Sequence, residues 1–165
     1  MRRGKRLSLS QLYARRLRFS LINQSSSPVP NAKDFERWVF CALTHIGTRG
    51  EIAILLCDEA DAQQYNHDYR QKDYATNVLS FDLRLQDEDA ICGNLVICPQ
   101  VVAKEAAEQN KTEIAHFAHL TVHGTLHVSG FDHENDADAA IMETHEITIL
   151  KHLGYDNPYE SKESI

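Results

Sequence analysis

The stretch HGTLHVSGFDH, residues 123–133, ends a longer segment that predicts the central helix of the fold. Thr112 is a suitable N-cap residue for this helix, which we expect to continue to about Ser129. Apolar residues occur on more than one side of the helix, which indicates burial among other elements. These residues are Phe117, Ala118, Leu120, Val122 and Leu126. We therefore expect the remainder of the domain to pack around this helix.

The same stretch carries three histidines with the spacing of a hydrolytic zinc site. An α-helix turns ~100° and rises ~1.5 Å per residue, so His123 and His127 lie on one face, ~6 Å apart. Gly130 can adopt the left-handed conformation that ends a helix, and the chain can then return His133 toward the first two rings. Three neutral imidazoles leave a fourth tetrahedral position for water, whose pKa zinc lowers to ~7. The sequence therefore predicts one zinc ion per chain, held by His123, His127 and His133.

Other polar residues near this motif leave alternatives open. His116 and His119 lie on the same helix and could be a further ligand, a hydrogen-bond partner of a ligand, or polar residues near the helix start. Asp132 and Glu134 could orient His133 through its second ring nitrogen. Nickel or copper could also occupy such a site in vitro, because affinity alone does not select zinc.

Gly124 distinguishes this motif from that of the metzincin peptidases, which have glutamate at the same position. Without a side chain, Gly124 cannot take a proton from a zinc-bound water, and peptide hydrolysis needs that base. A phosphodiester instead requires an activated nucleophile and neutralised phosphoryl oxygens, for which a cation suits better than a carboxylate. Arg70, in YNHDYRQKDYATNVLSF at residues 65–81, is the candidate cation. Taken alone, it could also be a surface arginine that ends a helix, where the helix dipole favours a positive charge.

The composition is that of a single folded domain of ordinary polarity. The chain has 165 residues, of which 42% are hydrophobic and 25% charged. No apolar run approaches the length that spans a bilayer, and we expect no membrane partner. The cysteines, Cys41, Cys57, Cys92 and Cys98, form no CxxC pair. Free thiols favour a reducing compartment, so we expect the protein in the cytoplasm.

The net charge of −7 is unevenly distributed along the chain. Residues 1–18 contain no acidic side chain and seven basic ones: Arg2, Arg3, Lys5, Arg6, Arg15, Arg16 and Arg18. The remainder has 10 basic and 24 acidic side chains, a net charge of −14. A basic arm on an acidic body can bind a polyanion, form a solvated end or belong to an organellar transit peptide. We predict a basic arm at 1–16, a single catalytic domain at 17–159 and a tail at 160–165.

Apolar periodicity and turn residues predict an α/β (α+β) fold with a small mixed four-stranded sheet and about five helices. Strands are predicted at 17–23, 51–58, 77–84 and 90–98, and helices at 34–45, 59–70, 99–109, 112–129 and from 136 to 152 or 153. Asn110 is expected in the left-handed position that follows a helix, and Asp136 is expected to cap the last helix. The order of the strands does not follow from these patterns.

Three segments together resemble the YbeY family of bacterial ribosomal RNA maturation endoribonucleases. They are HGTLHVSGFDH, YNHDYRQKDYATNVLSF and GNLVICP (93–99), and the resemblance covers about residues 17–159. It implies a mixed sheet and a long central helix that carries the first two histidines. It also implies site residues, namely the zinc ligands His123, His127 and His133, and Arg70 as the residue that engages RNA phosphate. The family usually has aspartate where this chain has Asn77 and Asn94, exchanges that remove charge but leave the histidines intact.

The resemblance implies a zinc-dependent, single-strand-specific endoribonuclease that matures the 3′ end of 16S ribosomal RNA and acts in ribosome quality control. Its expected partners are RNA, the small ribosomal subunit and assembly factors, and the basic arm could add salt-dependent affinity. Two alternatives stay open. One is a metal-dependent hydrolase of another substrate class, which Gly124 disfavours. The other is a non-catalytic RNA-binding assembly module in which zinc only stabilises the fold.

Overall fold

A mixed sheet of four strands forms the middle of the structure, a computed structural model that describes residues 6–85 and 88–160. The strands are β1 (Leu17–Asn23), β2 (Gly50–Leu56), β3 (Val78–Asp82) and β4 (Ile91–Ile97). Their order across the sheet is β1-β2-β4-β3. β1, β2 and β4 run parallel, whereas β3 pairs antiparallel with β4 and forms one edge. The predicted mixed sheet is therefore confirmed.

Six helices surround this sheet in the part of the chain that the structure describes. They are α1 (Leu9–Arg16), α2 (Ala32–His45), α3 (Glu59–Arg70), α4 (Pro99–Glu108), α5 (Glu113–Val128) and α6 (Asp136–Leu153). The predicted α/β fold is confirmed, and the additional helix, α1, lies within the segment that we assigned to the basic arm. α1 is short and none of its residues is fully buried, and its apolar residues Leu9, Leu12 and Tyr13 stand in a segment that we assigned to the arm because of its charge. Residues 1–5 of the arm and 161–165 of the tail lie outside the described residues.

None of the described helices combines the length and the apolar character that crossing a membrane requires.

The helix ends agree with the sequence patterns to within about two residues, and two starts differ: α2 begins at Ala32, with Asn31 as its N-cap, rather than at Asp34, and α6 has a different cap. Thr112 caps α5 as predicted, because its hydroxyl accepts a hydrogen bond from the Ala115 amide at 3.2 Å. The predicted cap of α6, Asp136, is wrong. Asn135 occupies that position, and its Oδ1 accepts a hydrogen bond from the Asp138 amide at 2.9 Å. Asp136 lies instead in the first turn, where the helix dipole favours its negative charge.

Helix α5 is the central element, as predicted. It packs against β3 and β4 of the sheet and against α2, α4 and α6. An edge-to-face contact between Phe35 of α2 and Phe117 of α5, with ring centroids 5.8 Å apart, joins the two helices in the core. Because neighbours surround α5 on several sides, side chains on more than one of its faces are buried.

Strand β4 approaches the last turn of α5 at Gly93. A Cβ atom at this position would overlap the Val128 side chain and would lie 2.9 Å from the carbonyl oxygen of Phe81. Real Cβ atoms do not pack this closely, so α5 can lie directly on the sheet only because residue 93 is glycine. This contact fixes the position of the helix that carries His123 and His127.

Helix α3 covers part of the other face of the sheet and ends at Arg70. Asp58, at its N-cap, accepts hydrogen bonds from the Gln100 side chain at 2.6 Å, the Ser26 amide at 3.0 Å and the Ser25 hydroxyl at 2.8 Å. These bonds lower the pKa of Asp58 to about 2, so it is ionised at neutral pH. The network ties the start of α3 to the loop after β1 and to α4, and so holds the helix that presents Arg70.

We expect Gly93→Ala to lower the free energy of unfolding by about 1–3 kcal/mol, because the added methyl group forces α5 away from the sheet. Urea denaturation followed by circular dichroism measures this difference. Ser20→Ala, at an exposed position of β1, is the control and should change stability by less than ~0.5 kcal/mol. A Gly93→Ala protein as stable as the wild type would show that the seating of α5 does not depend on this contact.

Candidate functional site

All four predicted site residues line one cavity. It has a volume of about 870 Å³ and lies between α5, β3, the end of α3 and the segment that follows α6. His123 and His127 come from α5, and His133 comes from the loop after it. Gly130 adopts the left-handed conformation predicted for it, with φ 105°, and this turn returns the chain toward α5. Arg70, the last residue of α3, completes the set.

The three histidine rings face one another across short distances. Ring centroids lie 5.3 Å apart for His123 and His133, 5.6 Å for His127 and His133, and 6.2 Å for His123 and His127. Zinc–nitrogen bonds of ~2.0–2.1 Å in a tetrahedral arrangement place the centroids of two imidazole ligands roughly 5 Å apart. Within the described ranges, no three His, Cys, Asp or Glu side chains stand in the arrangement of a formed metal site. The nitrogen donors suit zinc, and the observed centroid separations of 5.3–6.2 Å are somewhat wider than the ~5 Å of two bound imidazoles.

Glu146 of α6 forms a hydrogen bond with His123, the first of these histidines. Its side chain is 1% exposed, and its Oε1 accepts hydrogen bonds from His123 Nδ1 at 2.9 Å and from His119 Nε2 at 3.0 Å. The Tyr159 hydroxyl donates to Oε2 at 2.7 Å. Burial raises the pKa of Glu146, but the hydrogen bonds from His119 and His123 outweigh burial and lower it to about 2. An ionised carboxylate only accepts hydrogen bonds, so Glu146 favours the form of the His123 ring that carries a proton on Nδ1.

A second hydrogen-bonded group forms another part of the cavity wall. Glu105 of α4 accepts from His116 Nε2 at 2.6 Å and from the Asn77 side-chain amide at 3.1 Å. Burial raises the pKa of Glu105, but these hydrogen bonds outweigh it, and the net shift is downward. An aspartate at residue 77 would place a second negative charge against Glu105, whereas Asn77 donates to it. Asn94, the other departure from the family pattern, lies exposed on the face of the sheet opposite to α5.

The alternatives left open for the neighbouring residues are now decided in part. His116 and His119 have hydrogen-bond roles with Glu105 and Glu146. Asp132 accepts a hydrogen bond from the backbone amide of His133 at 2.7 Å. Among the described residues, no hydrogen bond joins a carboxylate to the His133 ring, so the expected orientation of that ring by Asp132 or Glu134 is not seen.

Gly124 faces the sheet rather than the centre of the cavity. A Cβ atom at this position would lie 2.9 Å from Leu95 Cδ2 and 3.2 Å from Ser80 Oγ. A glutamate side chain would therefore have to enter the packed layer between α5 and the sheet. The missing carboxylate is thus a consequence of how closely this helix packs, as well as a chemical difference from the peptidases.

Sequence reasoning missed Glu146, Glu105 and Tyr159. Each comes from a segment without a recognisable motif, and only the fold brings them to the histidines. Glu146 is separated from His123 by 23 residues. The sequence contained only an indirect signal for them. A histidine that binds a metal ordinarily donates its other ring N–H to a carboxylate or a carbonyl group, so a partner of this kind could be expected.

The chain is similar to proteins of one family. The model of the family described as Endoribonuclease YbeY matches residues 21–154, which include all four predicted site residues. Endoribonuclease YbeY of Neisseria gonorrhoeae is 48% identical over 166 residues, which cover 96% of this chain and 97% of that protein. Endoribonuclease YbeY of Nitrosococcus oceani is 50% identical over 137 residues, 81% of this chain and 90% of that protein.

A solved structure shares the fold. The solution structure of TM1509 from Thermotoga maritima superposes with a TM-score of 0.57 at 20% sequence identity, covering 90% of this chain and 99% of that chain. At this level of identity, the likeness establishes the common architecture.

We expect the neutral His123 ring of the metal-free protein to carry its proton on Nδ1, the nitrogen that faces Glu146. Long-range ¹⁵N–¹H correlation spectra distinguish the two tautomers. In Glu146→Gln the carboxamide can donate as well as accept, so both tautomers should appear. Glu143→Gln, on the same helix, is the matched control and should keep the wild-type spectrum. A wild-type ring protonated on Nε2 would contradict the role assigned to Glu146.

Proposed function

Because the chain belongs to the endoribonuclease YbeY family, we propose that it is a zinc-dependent endoribonuclease specific for single-stranded RNA. The observation that carries this proposal is the meeting of three histidine rings and Arg70 in one cavity. The rings supply nitrogen donors for one cation, and the arginine supplies a positive charge in the same cavity. Together they would activate a nucleophile and neutralise the phosphoryl oxygens of a phosphodiester.

The histidines are the proposed metal ligands. A zinc ion held by His123, His127 and His133 would supply Lewis acidity and a nucleophile near neutral pH. Glu146 supports this role by holding the proton of His123 on Nδ1, so that Nε2 stays free to bind a metal. His127 and His133 are free of such a carboxylate among the hydrogen bonds of the described residues, and they stand on the open side of the cavity.

Arg70 is the proposed phosphate-binding residue. Its guanidinium is exposed and makes no ion pair with a described carboxylate, so its five N–H donors remain available. A guanidinium can donate two parallel hydrogen bonds to a phosphate and neutralise charge that develops on its oxygens. The neighbouring Tyr69 ring is 66% exposed and packs edge to face on Phe81 at 4.8 Å. An exposed ring held in this way can stack on a base of a single strand.

The proposed biological substrate is precursor ribosomal RNA, cut to mature the 3′ end of the 16S molecule and to remove defective ribosomes. The proposed location is the bacterial cytoplasm, which the free thiols of the cysteines favour. Residues 19–165 carry a net charge of −14, which opposes unspecific adhesion to RNA. We therefore include the small ribosomal subunit and assembly factors as partners that direct the enzyme to its site.

Two other functions make different predictions. A hydrolase of another substrate class needs a general base, and the packing of Gly124 against Leu95 leaves no room for one at that position. A non-catalytic assembly module with structural zinc would lose stability and RNA affinity together when a histidine is removed. The proposed nuclease would instead lose turnover and keep most of its RNA affinity.

We expect His127→Ala and Arg70→Ala each to reduce cleavage of a single-stranded 16S precursor fragment by at least ~100-fold. RNA affinity should change by less than ~10-fold in His127→Ala, since a metal ligand serves the cleavage step rather than the binding of RNA. Gel-based cleavage assays and fluorescence anisotropy measure the two quantities. His152→Ala and Arg37→Ala, both exposed residues outside the cavity, are the matched controls and should retain wild-type cleavage.

Equal cleavage by the wild type and both site variants would mark the activity as a contaminant and favour the assembly module. Absence of cleavage by the wild type, even with ribosomal subunits supplied, would contradict an intrinsic nuclease. Circular dichroism spectra of all variants establish that each one is folded.

Removal of the metal by a chelator should abolish cleavage, and zinc should restore it, because the neutral imidazoles of the histidines suit zinc better than magnesium. Zinc should also raise the melting temperature of the wild type, since a ligand that binds only the folded state stabilises it. The melting temperature of His127→Ala should respond much less. Full activity after chelation, or restoration by magnesium alone, would contradict zinc dependence.

A further inference from the structure

A second positively charged surface lies away from the histidine cavity. Arg15 and Arg16 of α1 and Arg49, just before β2, line a surface cavity of about 600 Å³. Asp89 is the only carboxylate among the described residues that line it. This arginine surface, defined by Arg15, Arg16 and Arg49, is unexpected in a chain whose net charge is −7.

The arginines are held in place by the fold. The Tyr13 ring of α1 stacks on Phe40 of α2, with centroids 3.9 Å apart and an interplanar angle of 17°. Arg16 Nη1 donates a hydrogen bond to the carbonyl oxygen of Thr48 at 2.8 Å, which ties α1 to the turn between α2 and β2. α1 is therefore a docked helix, and Arg16 has a defined position in the cavity that Arg15 and Arg49 also line.

The positive charge of this surface is not neutralised within the described part of the chain. Arg15 and Arg49 are exposed, and among the described arginines only Arg84 forms a salt bridge. Arg16 makes one hydrogen bond to a carbonyl oxygen, which leaves most of its donors unused. A cavity lined by three guanidinium groups and one carboxylate is complementary in charge to an anionic ligand.

We propose that the arginine surface binds the phosphate backbone of the same RNA whose cleavage is proposed for the histidine cavity, and this inference rests on that proposed function. Guanidinium groups match phosphate oxygens in geometry as well as in charge. Leu12, which is 44% exposed, and the Phe40 ring form an apolar part of the same cavity, against which a sugar or base can pack. Two leucines on an eight-residue helix are a small apolar face for insertion into a membrane surface, so RNA is the favoured ligand.

The arginine surface and the histidine cavity share no lining residue. α1 precedes β1 at one edge of the sheet, whereas β3 forms the wall of the histidine cavity at the other. Three strand spacings of ~4.8 Å separate the edges by ~14 Å or more. The surface therefore contacts RNA at a distance from the scissile phosphate, and it contributes to affinity and to the placement of a longer strand.

The test is the salt dependence of binding to a fluorescein-labelled oligouridylate of about 20 nucleotides, with full-length protein. Each phosphate contact on a single strand contributes ~0.7 to the slope of log K against log salt, so Arg15→Gln/Arg49→Gln should lower the slope by ~1.4. Affinity near 0.1 M salt should fall roughly tenfold. Arg15→Lys/Arg49→Lys keeps both charges and should restore the slope.

The matched control is Lys33→Gln/Lys151→Gln, which removes two exposed charges elsewhere and should keep the wild-type slope. Equal slopes for the two glutamine double variants would overturn the inference, because only net charge would then matter. An unchanged RNA slope combined with loss of binding to phosphatidylserine vesicles would overturn it in favour of a membrane surface. If the wild type cleaves RNA and one of these two overturning results is found, the inference about the arginine surface has failed and the proposed nuclease has not. If the wild type binds RNA with the expected salt dependence but does not cleave it, the proposed nuclease has failed and the inference has not.

Discussion

Helix α5 lies directly on strands β3 and β4, and the arrangement of the site depends on this contact. Two glycines permit it: Gly93 on the strand side and Gly124 on the helix side. With the helix seated there, His123 and His127 face the cavity beside β3, and the turn at Gly130 can bring His133 to them. The position that holds a base in zinc peptidases is used here for packing. Gly124 therefore supplies no carboxylate to the cavity, whose lining includes the three histidines and Arg70.

The arrangement of the site also depends on the neutralisation of one buried charge, that of Glu146. Glu146 is enclosed by protein, and an ionised carboxylate in that environment is stable only when donors surround it. Two histidines and the Tyr159 hydroxyl supply those donors, and they come from α5 and from the segment after α6. The same bonds that stabilise Glu146 fix the protonation of His123. The same hydrogen bonds therefore stabilise the fold and determine which nitrogen of His123 carries the proton.

The sequence predicted those parts of the structure that local rules determine. Helix and strand positions, the Thr112 cap and the turn at Gly130 follow from periodicity and from the backbone freedom of single residues. Helix α1 was missed because its short apolar pattern, Leu9, Leu12 and Tyr13, lies in a segment that was assigned to the basic arm on its charge. The partners of the histidines were missed for a different reason. Glu146 and Glu105 act through contacts between segments far apart in the chain, and no local pattern encodes such contacts.

The ends of two helices meet at the cavity, since Arg70 is the last residue of α3 and His127 lies in the last turn of α5. Aligned peptide dipoles give each C-terminal end a partial charge of roughly −0.5. The protein backbone thus creates a negative potential in which cations are favoured and phosphate groups are repelled. Positive charge at the cavity is therefore supported by the backbone, and the Arg70 side chain at the end of α3 supplies part of it.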